Sequence, residues 1–264
     1  MENGLAAMPL LDEICRIARD AGAVILPYYA DPALVSQTKS DRSQVTAADH
    51  AAEELIVAAL AELTPEIPIV AEELMAAGGQ PDIRGGRFWL VDPLDGTKEF
   101  IQKIPEFTVN IALVEDGRPV MGVVYVPAEG MLYAGAQPGT AFRQADGGER
   151  EPIAVRRLDP QALTVALSRT YGSSVQLSHF LEEYRVARQV QKGSSVKFCL
   201  LACGEADVYP RYGGSSEWDT AAGHAVLAAA GGSVRHAETG KELTYGKPRF
   251  SNPNFIAWGG NDNL

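Results

Sequence analysis

Two aspartates three residues apart carry the clearest chemical possibility in this chain. They lie in Trp89-Leu90-Val91-Asp92-Pro93-Leu94-Asp95-Gly96-Thr97. An apolar strand delivers Asp92 at its C-terminal end, and Pro93 has no N–H with which to continue a ladder. Asp95-Gly96 makes a tight turn, after which residues 97–101 can begin a helix. Two carboxylates on such a rigid junction can converge on one cation. The carbonyl of Leu94 between them can turn inward as a third oxygen ligand, the kind that hard cations such as Mg²⁺ take. The amides of Gly96 and Thr97, at a helix start, suit a phosphate group. The same residues also read as an ordinary turn with Asp92 ending a strand, and spacing alone leaves both readings open.

Other acidic residues pose the same choice. Glu72-Glu73 follows a short apolar strand, either as a solvated strand end or with one glutamate beside Asp92 as a metal ligand. Asp219, in Glu217-Trp218-Asp219-Thr220, stands just before a helix, as an N-cap or as a ligand to a second metal. Asp49, in Thr46-Ala47-Ala48-Asp49, belongs to a segment like a capping box. Alternatively it is an outer metal ligand or a partner in deprotonating water. No cysteine occurs in these motifs. Cys15, Cys199 and Cys203 suggest no disulfide framework and read as buried reduced thiols. The 4 histidines have no H-x-x-x-H spacing, which disfavours zinc.

The elements that must position these groups follow from periodicity and breakers. Helices are expected at 10–29 and 47–63, short strands at 67–71 and 87–91, and a hairpin of 107–114 with 120–126 around Asp116-Gly117. Strands at 131–135 and 140–143 complete a mainly antiparallel first half. Beyond the Asp146-Gly147-Gly148 loop the pattern alternates: strand 164–168, a helical stretch 174–188, helix 194–202, strand 206–209 and helix 220–230. The 264 residues, 46% hydrophobic and 22% charged, describe a globular chain with a sizeable core. It divides into an α+β N-terminal subdomain, 1–150, with most of the acidic candidates, and an α/β subdomain, 151–264, with Asp219; a ligand cleft is expected between them. The net charge of −11, with scattered Lys and Arg, excludes a chain-wide nucleic-acid footprint. An anionic substrate would then need bound divalent cations to cancel repulsion. No signal peptide or transmembrane segment is visible. The expected location is the cytoplasm, with peripheral contact at the inner face of the cell membrane left open. Oligomeric state is not set by the sequence.

Taken in order, Val45-Thr46-Ala47-Ala48-Asp49, Ala71-Glu72-Glu73, Asp92-Pro93-Leu94-Asp95-Gly96-Thr97 and Trp218-Asp219 resemble the inositol monophosphatase superfamily over nearly the whole chain. The resemblance implies a layered α-β-α-β-α sugar-phosphatase fold of class α+β, with two packed subdomains and a Mg²⁺-dependent phosphomonoesterase activity on a small phosphate ester. Thr97-Lys98-Glu99-Phe100-Ile101, Gly193-Ser194-Ser195-Val196-Lys197-Phe198-Cys199 and Tyr209-Pro210-Arg211-Tyr212-Gly213 look like the bacterial 3′(2′),5′-bisphosphate nucleotidase branch. That implies hydrolysis of adenosine 3′,5′-bisphosphate to AMP and phosphate, a place in sulfur assimilation, and inhibition by lithium. The alternatives are inositol-1-phosphate or fructose-1,6-bisphosphate hydrolysis on the same scaffold, or a non-enzymatic nucleotide-bisphosphate binding protein. The carried-over roles place two or three Mg²⁺ ions. Glu72, Asp92 and the Leu94 carbonyl hold the first, and Asp92, Asp95 and Asp219 the second. Thr97, with Asp49 and Glu72, orients or deprotonates the attacking water. Leu94, Asp95, Gly96, Thr97 and Asp219 border the phosphate, while Ser168, Gly193, Ser194 and Lys197 approach the nucleotide. Lys197 would suit a second phosphate as a point charge, where the sequence by itself also allows a solvated helix lysine. One departure is Ser168-Arg169-Thr170-Tyr171, where relatives carry a Ser-Arg-Ser-His-like run; Tyr171 could stack on adenine.

Overall fold

A computed structural model of the chain describes residues 2–31, 36–38, 44–169 and 175–260, with backbone alone for 2–7, 36–38 and 44–46. Helix α1 (Glu2–Ala30) buries the stripe that predicted it, including Leu11, Ile14, Ile17, Ala21 and Ile25. A ribbon of β1 (Ser36–Thr38) and β2 (Gln44–Thr46) leads into α2 (Ala47–Leu63), which has its predicted bounds. Next come β3 (Ile69–Ala71), α3 (Glu72–Ala76), β4 (Arg87–Asp95) and α4 (Thr97–Ile101). Strands β5 (Thr108–Glu115), β6 (Arg118–Val126), β7 (Met131–Gly135), β8 (Phe142–Ala145) and β9 (Glu151–Pro152) finish the first sheet. Its order is the chain order, β3 to β9, antiparallel except for the parallel β3–β4 pair. The β5–β6 hairpin turns through Asp116 (φ 48°) and Gly117 (φ 77°), the two left-handed residues of a primed turn.

The second sheet contains β10 (Leu163–Ser168), β11 (Val186–Lys192), β12 (Val208–Arg211), β13 (Ser233–His236) and β14 (Phe255–Trp258). Its order is β11-β10-β12-β14-β13, parallel across the first three strands and antiparallel beyond. Helices α5 (Val175–Glu183), α6 (Val196–Ala202) and α7 (Ala221–Ala229) pack on it. The helical stretch expected at 174–188 is corrected here: the helix ends at Glu183, and Val186–Lys192 is an edge strand. An edge strand can keep a polar surface, so its first residues, Val186-Ala187-Arg188, read as a continuation of the polar helix before them. Strands β13 and β14 carry no expectation from the sequence reading.

Five layers result. Alternate residues of β4 serve both faces of the first sheet: Trp89 and Val91 join the cluster of α1 and α2, while Phe88 and Leu90 join that of α6 and α7. Tyr209, Phe255 and Ala257 close this middle helix layer from the second sheet, and Leu177 and Phe180 of α5 cover that sheet's other face. The order α-β-α-β-α is the expected one, and the continuous apolar run of β4 reflects burial on both sides. All three cysteines are free, Cys15 and Cys199 buried and Cys203 partly so. Among the described residues no helix is long and apolar enough to cross a membrane.

Candidate active site

The end of β4 is built as a bulge. Pairing with β5 runs through Asp92↔Asn110, then resumes at Asp95↔Thr108. Pro93 falls in the interruption, where its missing N–H costs no ladder bond. Asp92 Oδ1 accepts the Leu94 N–H at 3.0 Å. Gly96 takes the left-handed conformation (φ 91°) that lets α4 start at Thr97, and the Thr97 hydroxyl donates to the Leu94 carbonyl at 3.2 Å. The Asp92–Thr97 segment is therefore both a turn and a concentration of oxygen donors.

A cavity of about 240 Å³ opens over this segment. Glu72, Asp95, Gly96, Thr97, Ser168, Ser194, Lys197 and Asp219 all line it. Asp92 lies beneath, 1% exposed. Burial pushes its carboxyl well above the usual range, and Glu72, Asp95, Asp219 and Asp49 push it further. Burial also raises Asp95, against the opposing effects of Lys197, Ser195 and Arg211. Asp219 is pushed up to about 8 by burial, then by Asp95 and Glu72. Acidic groups from α2, α3, β4 and the start of α7 thus stand close enough to oppose one another's ionisation. Among the described residues no three acidic, histidine or cysteine side chains stand in an arrangement that could hold a metal ion as it is. The donor set nevertheless fits Mg²⁺: it is all oxygen, predominantly anionic, and includes one carbonyl.

Position in the fold distinguishes the surroundings of the residues whose spacing left alternatives open. The N-cap of α7 is Thr220, and Asp219 instead accepts the Ser216 N–H at 2.9 Å with Oδ2. Glu72 opens α3 on the cavity wall, and its neighbour Glu73 is buried. Asp49 is buried in the first turn of α2. Lys197 is 3% exposed, donates to the carbonyls of Ser194 (2.5 Å) and Lys192 (3.2 Å), and has its pKa lowered by burial to about 8. It is no solvated lysine. Gly193 stands off the cavity lining, its N–H donated to Glu106 at 2.8 Å, while Ser194 (φ 43°) is on the lining. Thr170 and Tyr171 lie outside the described residues.

Several supporting residues escaped the sequence reading. Ser195 Oγ lies 3.0 Å from Asp95 Oδ2 and 2.8 Å from the Asp219 carbonyl, and accepts from Asn110 at 3.0 Å. Arg211, at the end of β12, lines the cavity. Glu53 accepts the N–H groups of Glu73 and Leu74, each at 2.7 Å, and so caps the helix that carries Glu72. Burial raises Glu53 to about 7 against those two bonds. The available signal was its place one turn after Asp49 on the buried face of α2. Glu53→Ala leaves two amide donors without their acceptor. It is expected to cost about 2–4 kcal/mol of stability and to weaken Mg²⁺ binding. Thermal unfolding and Mg²⁺ titration check this; an unchanged melting temperature and an unchanged titration together would remove Glu53 from the support.

A larger cavity, about 690 Å³, borders α7 elsewhere and is lined by Leu113, Met121, Ala225 and Ala228 with Glu115 and Glu242. Glu115 is paired with Arg87 at 2.8 Å. Size favours that cavity, but the convergent carboxylates select the smaller one.

The inositol monophosphatase family model matches residues 7–262. The 3′(2′),5′-bisphosphate nucleotidase CysQ of Escherichia coli O157:H7 is 46% identical over 250 residues, covering 93% of this chain and 98% of the relative. The crystal structure of CysQ from Bacteroides thetaiotaomicron, a bacterial member of the inositol monophosphatase family, matches with TM-score 0.79 and 37% identity, over 96% of this chain and 98% of that one. An inositol monophosphatase from Anabaena (Nostoc) sp. PCC 7120 matches with TM-score 0.74 and 27% identity, over 97% and 92%.

Proposed function

The chain belongs to the inositol monophosphatase family, and from that premise we propose that it is a 3′(2′),5′-bisphosphate nucleotidase, hydrolysing the 3′-phosphate of adenosine 3′,5′-bisphosphate to AMP and phosphate. The observation that carries the reading is the convergence of Glu72, Asp95, Asp219 and the Gly96-Thr97 turn on one cavity that also holds Lys197. The nucleotidase relative, matched along almost its full length, supports the substrate.

Glu72, Asp92 and the Leu94 carbonyl would hold one Mg²⁺, and Asp92, Asp95 and Asp219 another, for two or three ions in all. Bound Mg²⁺ supplies positive charge to the phosphate oxygens and acidifies water. The chain's own groups do the positioning on which phosphoryl transfer depends. The Thr97 hydroxyl spends its O–H on a hydrogen bond to the Leu94 carbonyl. Its lone pairs are then free to accept from a water O–H and orient that water. Asp49 and Glu72 serve as acceptors for the departing proton. The Gly96 and Thr97 amides hold the phosphate. Ser168, Ser194 and Lys197 face the rest of the nucleotide, and the Lys197 charge suits its second phosphate. Gly193 shapes this wall, its amide being engaged by Glu106. In this reading 1–150 and 151–264 are the two subdomains, with the cavity along their line of contact. Its three free cysteines suit a reducing cytoplasm.

The test is phosphate release from adenosine 3′,5′-bisphosphate, inositol-1-phosphate and fructose-1,6-bisphosphate, with Mg²⁺ and with chelator. The nucleotide is expected to lead in kcat/KM by at least about tenfold, or about 1.4 kcal/mol of discrimination. Preference for either sugar phosphate overturns the substrate, and no Mg²⁺-dependent release from any of them leaves a binding protein.

A further inference from the structure

Glu106 lies outside every motif singled out by the sequence, yet it touches three residues just behind the cavity wall, two of them chain neighbours of the lining residues Ser168 and Ser194. Its Oε2 accepts Arg169 Nε at 2.7 Å and the Gly193 N–H at 2.8 Å. Its Oε1 accepts Arg169 Nη2 at 2.8 Å and stands 3.2 Å from Lys192 Nζ. The Glu106 backbone presses on the same region. A Cβ added to Gly193 would meet the Glu106 carbonyl oxygen at 2.7 Å and Glu99 Cγ at 2.9 Å. A Cβ added to Gly96 would meet that oxygen at 3.0 Å. Glu106, two residues before β5, therefore sits under the Gly96-Thr97 turn. Its side chain reaches Arg169 beside Ser168, Lys192 at the end of β11, and Gly193 beside Ser194.

We propose that Glu106 is a positioning residue for substrate specificity, whose carboxylate clasps the wall bearing Ser168, Ser194 and Lys197 against the turn that holds the scissile phosphate. The proposal rests on the nucleotidase reading, because it names that wall as the one facing the non-reacting part of the substrate. The fork-to-fork pairing with Arg169 fixes orientation as well as distance, which a single point contact would not. The carboxylate is only 7% exposed, whereas Arg169 and Lys192 are 39% and 29% exposed. Burial alone would raise its pKa; Arg169, the Gly193 amide and Lys192 outweigh this and bring it to about 2. Glu106 thus stays charged throughout the neutral range. Without that charge the two cations lose the anchor that draws them to the wall, and the Gly193 amide loses a charged acceptor. Glu106 itself is absent from the cavity lining, and so are the metal ligands from its contacts. Its removal should disturb how the far end of the substrate is held while leaving the chemistry at the phosphate intact.

The experiment compares two esters in the full chain with Mg²⁺: adenosine 3′,5′-bisphosphate, which needs the whole wall, and p-nitrophenyl phosphate, which needs only the phosphate turn and metals. Glu106→Gln keeps the shape and removes the charge. It is expected to raise KM for the nucleotide about tenfold with kcat within about twofold, and to leave kcat/KM for p-nitrophenyl phosphate within about twofold. Arg169→Gln, at the more exposed partner, should reproduce the effect and serves as the readout if Glu106→Gln does not fold. The double variant should resemble either single one, because both remove the same contact. A selectivity ratio between the two esters that stays at the wild-type value overturns the proposal, whether both rates fall together or neither changes. Should the wild-type protein prefer another ester, the nucleotidase reading fails, and the same ratio measured with that ester still decides the clasp.

Discussion

Replacing Asp92 with Asn is expected to lower phosphate release by about a thousandfold or more, a loss of about 4 kcal/mol of transition-state stabilisation, while the metal-free protein becomes more stable. Asp92 is the one side chain shared by both proposed Mg²⁺ sites, so its loss weakens each. An amide has the carboxylate's shape but no charge, and its NH₂ end points donors where cation ligands are needed. Stability moves the other way because Asp92 is buried and opposed by Glu72, Asp95, Asp219 and Asp49. Asn removes that repulsion and can still accept the Leu94 N–H through its own oxygen. Phosphate assays and thermal unfolding in chelator measure the two effects on one preparation. Wild-type-like turnover in the variant would remove Asp92 from the chemistry.

Chelation is expected to abolish phosphate release and to expose an unusual pH dependence of stability. Asp92, Asp95 and Asp219 all have folded pKa values above their unfolded ones, Asp219 rising from 3.8 to about 8. Between those values the unfolded chain has lost protons that the folded chain retains, so stability falls as pH rises. Glu53, raised to about 7, adds in the same direction. Other groups narrow the window. His224 is buried, and its pKa is lowered by that burial from 6.5 to about 3, so below about 6.5 it makes stability rise with pH. Lys197, lowered from 10.5 to about 8, does the same above about 8. The acidic set therefore dominates between pH 6.5 and 8. The metal-free protein should lose on the order of 2 kcal/mol across that window, and saturating Mg²⁺ should remove the loss. A flat or rising melting temperature in chelator over the same range would show that these carboxylates do not oppose one another as their positions imply. Phosphate release that survives chelation would end the case for a metal-dependent reaction.

What the sequence determined by itself is what local chemistry can encode. The helix at 47–63 appears at its predicted bounds, and a helix begins at Thr97 where the sequence allowed one, because apolar spacing, a proline stop and a glycine turn act within a few residues. The Asp92–Thr97 junction was legible for the same reason: Pro93 and Gly96 dictate an interrupted ladder and a left-handed turn wherever they stand. The β5–β6 hairpin announced itself through Asp116-Gly117. The motif resemblance extended this to the fold and to the acidic residues as a set.

The tertiary structure decided which polar residues have partners. Ser195 reaches Asp95 across 100 residues, Glu106 reaches Gly193 across 87, and Glu53 reaches Glu73 across 20. None of the three has a local signature, because a serine or glutamate is ordinary until the partner it will meet is known. Lys197 and Asp219 were ambiguous for the same reason: a helix lysine and a helix-start aspartate look alike whether they face water or a cavity. Burial raises or lowers a pKa, and neighbouring carboxylates oppose ionisation, only after layer packing and strand register bring those groups together. Residue type is written along the chain, whereas desolvation and Coulomb energy belong to distances that exist only in the folded molecule.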